Sequence, residues 1–221
     1  MNRKIDWLYW LNIVGAVAYI LYYGGMMLAG KPQFAGQSQL LAQVAAGIVI
    51  VSIPKILERL FHFRFPVLLV GLYEIFIFMS ILLGTGMQFY DIPYWDKYEH
   101  LFSAAMLAGL GFALFGQLTP KERLPKVNPL LMALFAVAFG TMIGVVWEFY
   151  EFTFDGLLGM NMQRYMVGHT LLQGRAALMD TMGDLFADFF GSLALAVAGY
   201  FGIKRDWHWL DKFMFHVDKK A

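Results

Sequence analysis

The sequence predicts an all-α fold: a polytopic membrane helix bundle with six transmembrane helices and both termini cytoplasmic. Composition is the first reason. The 221 residues are 59% hydrophobic and 15% charged, with a mean hydropathy of +0.57, whereas a soluble domain is roughly 45–50% apolar and about 25% charged. Punctuation is the second, because apolar runs of about 20 residues, long enough to cross hydrocarbon, alternate with short polar breaks. The third is where the basic residues fall.

The six spans are about 7–29, 38–60, 66–86, 98–117, 129–152 and 181–203. Lys31-Pro32-Gln33 separates the first pair, and His62-Phe63-Arg64-Phe65-Pro66 the second. Tyr90-Asp91-Ile92-Pro93 and Thr119-Pro120-Lys121-Glu122-Arg123 bound the fourth. Pro54 and Lys55 interrupt the second span near its end. The first apolar run is too long for a signal peptide, and Ala16-Val17-Ala18 lies inside it, so a retained span is expected.

Lys and Arg are retained on the cytoplasmic side of short connections. One set of connections and ends holds thirteen: Arg3, Lys4, Lys55, Arg59, Arg64, Lys121, Arg123, Lys126, Lys204, Arg205, Lys212, Lys219 and Lys220. The other holds four: Lys31, Lys97, Arg164 and Arg175. Both termini are therefore expected inside. Residues 1–203 read as one transmembrane domain, and 204–221 as a basic amphipathic cytoplasmic tail carrying Trp207, Trp209, Leu210, Phe213 and Phe215. The net charge of +1 gives no basic stripe for nucleic acid. Having no cysteine excludes disulfides, thiolate metal sites and thiol nucleophiles.

Small residues recur at helical spacing: Gly140 and Gly144 on span five, Ala105, Gly109 and Ala113 on span four, and Ala187 and Gly191 on span six. Such ladders let membrane helices approach closely, so these three spans are expected to touch.

Three acidic clusters open on the outer side: Asp96-Lys-Tyr-Glu99-His100, Glu148-Phe-Tyr-Glu151 with Asp155, and Asp180, Asp184 and Asp188. Spacings of three and four put each set on one helix face. At about 1.5 Å per residue, Asp188 lies roughly 12 Å deeper than Asp180. Carboxylates at that depth face a protein interior and mark ions, protons or substrate.

Plainer roles compete. Asp96, Glu99, Asp155 and Asp180 stand near span ends, where acids cap helix N-termini or sit at the interface. His100 alone reads as a hydrogen-bonded core histidine, and its spacing from Asp96 is what suggests a ligand. Several carboxylates with one histidine suit a divalent ion, Mg, Mn or Zn. Without metal, the same groups suit proton relay. The outer loop from about Thr153 to Met179 holds Arg164, His169, Gln173 and Arg175. Arginine forks suit phosphate, although these could simply neutralise the acids. Glu74, within span three, fits a structural hydrogen bond or a proton path.

With these motifs in view, the C-terminal half resembles the YjdF-like bacterial inner-membrane proteins. Asp96-Lys-Tyr-Glu-His100, Gly144-Val-Val-Trp147-Glu148-Phe-Tyr-Glu151 with Asp155, and Asp180-Thr-Met-Gly-Asp184-Leu with Gly191 carry that likeness over residues 90–200. The order Asp-Lys-x-x-His followed by a late Asp-x-x-x-Asp helix is also similar to the VanZ-like proteins of the cell envelope. The resemblance implies a multi-pass protein of the bacterial inner membrane and supplies no reaction.

The leading expectation is a metal-dependent hydrolase or phosphotransferase acting on a phosphate-bearing lipid or envelope precursor, with its site on the periplasmic side. Asp184, Glu148 and His100 are the candidate catalytic residues. Asp96, His100, Glu148, Glu151, Asp180 and Asp184 are the candidate ligands of a divalent metal. Arg164, Arg175, His169 and Asp188 are the candidate substrate contacts. A small proton- or ion-coupled transporter and a scaffold with a structural cation remain the alternatives.

Overall fold

The computed structural model describes residues 5–217. Arg3, Lys4, Lys219 and Lys220, and with them the end of the expected tail, lie outside the described residues. Among the described residues, six helices are long and apolar enough to cross a membrane: Asp6–Leu28 (α1), Gln37–Phe61 (α2), Val67–Gly86, Trp95–Leu118 (α4), Pro129–Leu158 (α5), and a last span from Gly174 to Arg205. The third is α-helical over Val67–Ile77 (α3) and π-helical over Phe78–Gly86; the last is a 3-10 turn, Gly174–Leu178, leading into α6, Met179–Arg205. The chain is thus a polytopic helical membrane protein. Among the described residues, strands are confined to two-residue pieces. Phe63–Arg64 (β1) pairs antiparallel with His216–Val217 (β4), and Met166–Val167 (β2) with Thr170–Leu171 (β3).

Two helix bounds differ from the sequence reading in ways that matter. α5 continues to Leu158, six residues past the expected end, so Asp155 belongs to the helix and not to the loop. α4 begins at Trp95, three residues early, which places Asp96 in its first turn. Polar and acidic residues lowered the apparent hydropathy of both stretches, but their spacing keeps the acids on one face and the helix continues.

Contacts divide the chain into two compact units. The first takes the chain up to Glu99 together with the segment from Lys212; the second is His100–Asp211.

In the first unit, α1, α2 and the third span pack around Ala16, Tyr19, Val44 and Leu82. α2 continues through Pro54. Proline lacks the N–H that would reach back one turn, and the stranded carbonyl of Ile50 instead accepts a 2.6 Å hydrogen bond from Tyr73 Oη. A neighbouring side chain thus repairs a break that lipid could not. Lys55, the charge beside it, pairs with Asp6 at 3.1 Å and lies over the Tyr9 ring.

In the second unit, spans four, five and six do touch, through small residues. A side chain on Gly140 would meet Ser192 Oγ and the backbone of Ala104 and Ala108, and one on Gly191 would strike the Leu101 carbonyl. On span four the close contact therefore uses Ala104 and Ala108, one residue along from the Ala105 ladder. Ser192 Oγ donates to the Ala104 carbonyl at 3.3 Å. Asn128 caps α5 by accepting from Leu130 N at 2.9 Å, with Pro129 at the first helical position. Large apolar side chains point outward along the spans, among them Leu131, Leu134, Val146, Phe186, Phe190 and Phe201, as lipid-facing surfaces require.

Candidate metal centre

The buried stripes of α5 and α6 share one design. On α5 the stripe runs Met132, Ala136, Gly140, Gly144, Glu148, Glu151, Asp155; on α6, read from the other end, it runs Ile203, Gly199, Ala196, Ser192, Asp188, Asp184. Each passes from apolar, through small, to acidic residues. The small positions bring the two backbones together just before the acids begin, so carboxylates from both helices converge. Gly144 marks the crossover: a side chain there would overlap the Asp188 carboxylate.

Glu148, Glu151 and Asp184 each offer one carboxylate oxygen, and these oxygens lie within 4.8 Å of one another. The three side chains belong to residues only 4%, 6% and 1% exposed. Three acids this close and this dry repel one another unless a cation or protons intervene.

Specific donors hold the acids in place. Glu148 Oε2 accepts from Gln163 Nε2 at 2.9 Å, while its Oε1 is buried without a hydrogen-bond partner among the described residues. Glu151 Oε1 accepts from Trp147 Nε1 at 2.9 Å, one helical turn back. His100, on α4, presents Nδ1 to Asp188 Oδ1 at 3.2 Å and Nε2 to Asp184 Oδ1 at 3.6 Å. Asp188 Oδ2 is also buried without a hydrogen-bond partner among the described residues, against Gly144.

Asp155 does a different job. Both its oxygens accept backbone N–H groups, Met162 at 2.7 Å and Gln163 at 2.9 Å. The chain turns at Gly159, in the left-handed conformation that favours glycine (φ +63°), and folds back over the end of α5. This clamp delivers Gln163 onto Glu148. Asp155 thus has a structural helix-end role, the plainer of the roles that its position near a span end suggested.

The outer loop places its cations unequally. Arg164 Nε lies 3.7 Å from Asp180 Oδ1, with the arginine side chain 41% exposed and the aspartate 10%. His169 is exposed at the turn of the β2–β3 hairpin, and Arg175 is exposed in the 3-10 turn that precedes α6. Asp96 stands one turn before His100 on α4, with Lys97 Nζ 3.1 Å from its Oδ2.

Glu148, Glu151, Asp184, Asp188 and His100, all expected from the sequence, are therefore brought together in the second unit. His169 and Arg175 are held out on the loop. Gln163 was not foreseen: nothing in its local sequence marks it, because the Asp155 clamp is what carries it to Glu148. The Trp147 contact to Glu151 was readable, being an i, i+4 pair.

Chemically, a set of carboxylates with one imidazole is an oxygen-rich donor group of the kind that holds Mg, Mn or Zn. The partnerless oxygen of Glu148 is where such a group would be unsatisfied without a ligand.

Fold and site define the class: a six-span helical membrane protein with a buried carboxylate–histidine cluster at one end of its last helices. The chain belongs to the family described as Predicted membrane protein (DUF2238), which matches residues 10–205. It is similar to an uncharacterized protein of Thermotoga maritima, 28% identical over 149 residues that cover 66% of this chain and 69% of the relative. No solved structure matches it.

Proposed function

We propose that this protein is a divalent-metal-dependent membrane enzyme, a hydrolase or phosphotransferase acting on a phosphate-bearing lipid or cell-envelope precursor. The observation that carries the proposal is the triad Glu148, Glu151 and Asp184, whose oxygens lie within 4.8 Å of one another in a buried setting. Those residues would hold the ion. A bound divalent ion supplies Lewis acidity toward a phosphoryl oxygen and lowers the pKa of water.

The chain's own groups have separable roles. Gln163 and Trp147 fix the rotamers of Glu148 and Glu151. Arg164, beside Asp180 and partly exposed, would grip an anionic headgroup, with Arg175 on the same loop. The thirteen-to-four division of Lys and Arg supports a periplasmic site and cytoplasmic termini. The likeness of the C-terminal half to YjdF-like proteins, and of its Asp-Lys-x-x-His order to VanZ-like proteins, supports a bacterial inner-membrane setting.

A second reading, proton- or ion-coupled transport, draws on Glu74. It is buried inside the third span, faces Asn12 Nδ2 at 3.5 Å through Oε2, and its Oε1 has no hydrogen-bond partner among the described residues.

The test is phosphate release by purified protein from lipid monophosphates and diphosphates, with and without chelator, in wild type and Asp184→Asn. The enzyme reading expects chelator-sensitive release, restored by Mg or Mn and absent in Asp184→Asn. Release that survives in Asp184→Asn removes that residue from the mechanism. No release from any lipid phosphate, together with ion-driven flux in vesicles that Glu74→Gln abolishes, establishes the transport reading instead.

A further inference from the structure

The metal reading above uses one triad, yet Asp184 faces a second partner. Its Oδ1 lies 3.6 Å from His100 Nε2. That exceeds the roughly 3.2 Å reach of a good N–H···O bond. It matches two ligands of one ion, since donors about 2.1 Å from a common metal stand about 3–3.6 Å apart at angles of about 90–120°. The other ring nitrogen has a different relationship. Nδ1 lies 3.2 Å from Asp188 Oδ1, within hydrogen-bonding distance. A carboxylate accepts only, so in a neutral ring this contact would hold the proton on Nδ1 and leave Nε2 as the ligating nitrogen. Carboxylate, histidine and ligand-bearing site in series is how metal-binding imidazoles are oriented.

His100 is not part of the mutually close set of Glu148, Glu151 and Asp184 oxygens, while Asp184 belongs to that set and also faces His100. Asp184 thus faces donors on two sides, and two ions sharing its carboxylate would serve both.

Resting on the metal reading of the same cluster, we propose that the centre holds a pair of divalent ions bridged by Asp184. One ion sits on Glu148 and Glu151, and the second on His100 Nε2. Asp188 is the positioning residue that orients His100. The buried, partnerless oxygen of Glu148 is an independent sign that a ligand completes the first position. A pair of metals is the arrangement that clamps the attacking and leaving oxygens of a displacement.

The experiment loads the full-length protein in detergent with Mn2+, removes free ion, counts bound metal and records the electron paramagnetic resonance spectrum. Wild type is expected to hold about two ions per chain with an exchange-coupled spectrum. His100→Ala is expected to fall to about one ion, with the six-line signal of isolated Mn2+. Asp188→Ala should weaken the second ion by roughly 10–100-fold, and Asp188→Asn should restore it, because the amide oxygen still accepts from Nδ1. One uncoupled ion per chain in wild type, unchanged in His100→Ala, overturns the pair and leaves the single-metal reading standing. Two ions in His100→Ala overturn the role of His100. No bound ion in folded wild type overturns the pair and the metal reading together.

Discussion

Glu99 and Glu148 are both buried carboxylates of spanning helices, and their surroundings differ in kind. Glu99, in the first unit, has a donor for each oxygen: Tyr90 Oη at 2.7 Å on one and Trp95 Nε1 at 2.7 Å on the other. Ser80 Oγ supports Tyr90 from behind at 2.9 Å. That set is closed; its hydrogen bonds are made and it has the form of a staple between the third span and the start of α4. Glu148, in the second unit, has one oxygen held by Gln163 and the other without a hydrogen-bond partner among the described residues, beside two further acids. That set is open. A satisfied buried carboxylate is explained by the fold it tightens, whereas an unsatisfied one beside others of its sign calls for a ligand.

The sharpest way to break this comparison is to neutralise one acid on each side. Asp184→Asn should cost at least about 100-fold in divalent-ion affinity, read by ion titration, with little loss of fold. Glu99→Gln should leave ion affinity within about 3-fold of wild type and instead destabilise the protein by about 2 kcal/mol, since two hydrogen bonds to a charged acceptor are weakened. Thermal unfolding in a fixed detergent or nanodisc reads that loss. Equal ion loss in both variants would erase the distinction.

A smaller effect is expected where the helices cross. Gly144→Ala forces a methyl group against the Asp188 carboxylate. Overpacking at such a contact costs about 1–3 kcal/mol and should lower ion affinity as well, because the carboxylates of α5 and α6 are held together there.

The smallest effect belongs to the closed set. Tyr90 lies between spans, and burial first, then the charge of Glu99, raises the pKa of its phenol above the usual 10.0. A raised folded-state pKa means that its contribution to stability is complete below about pH 10 and is lost as pH climbs through the folded value. Wild type should therefore show a falling alkaline limb in thermal stability from about pH 10, and Tyr90→Phe should flatten it. An unchanged limb in Tyr90→Phe would detach Tyr90 from that behaviour.

Much of the open set was legible in the sequence. Acids at i, i+4 and i+8 on span six, and at i and i+3 on span five, name a face by spacing alone, and the Gly140–Gly144 spacing names the helix surface they meet. Span ends were less legible. The acids of Asp96 and Asp155 depress hydropathy where the helix in fact continues, so a reading keyed to apolar runs stops early. Gln163 and Tyr90 were out of reach for another reason. Each acts across a turn on a partner fixed by tertiary packing, and a lone Gln or Tyr in a connection carries no periodic mark. The sequence reading sets Glu99 among the span-end acids with a plainer role and Glu148 among the candidate ligands; hidden from it were the donors that, among the described residues, satisfy both oxygens of Glu99 and only one of Glu148.

The most direct measurement is the metal content of purified wild-type protein, with its thermal stabilisation by Mg, Mn and Zn, beside Glu148→Gln and Glu99→Gln. The account predicts bound divalent metal and an ion-dependent rise in melting temperature for wild type and Glu99→Gln, and a clear loss of both in a folded Glu148→Gln, which lacks a ligand of the Glu148–Glu151 position. Metal content and ion-dependent stabilisation in Glu148→Gln equal to wild type, or no metal and no ion-dependent shift in wild type, would contradict it.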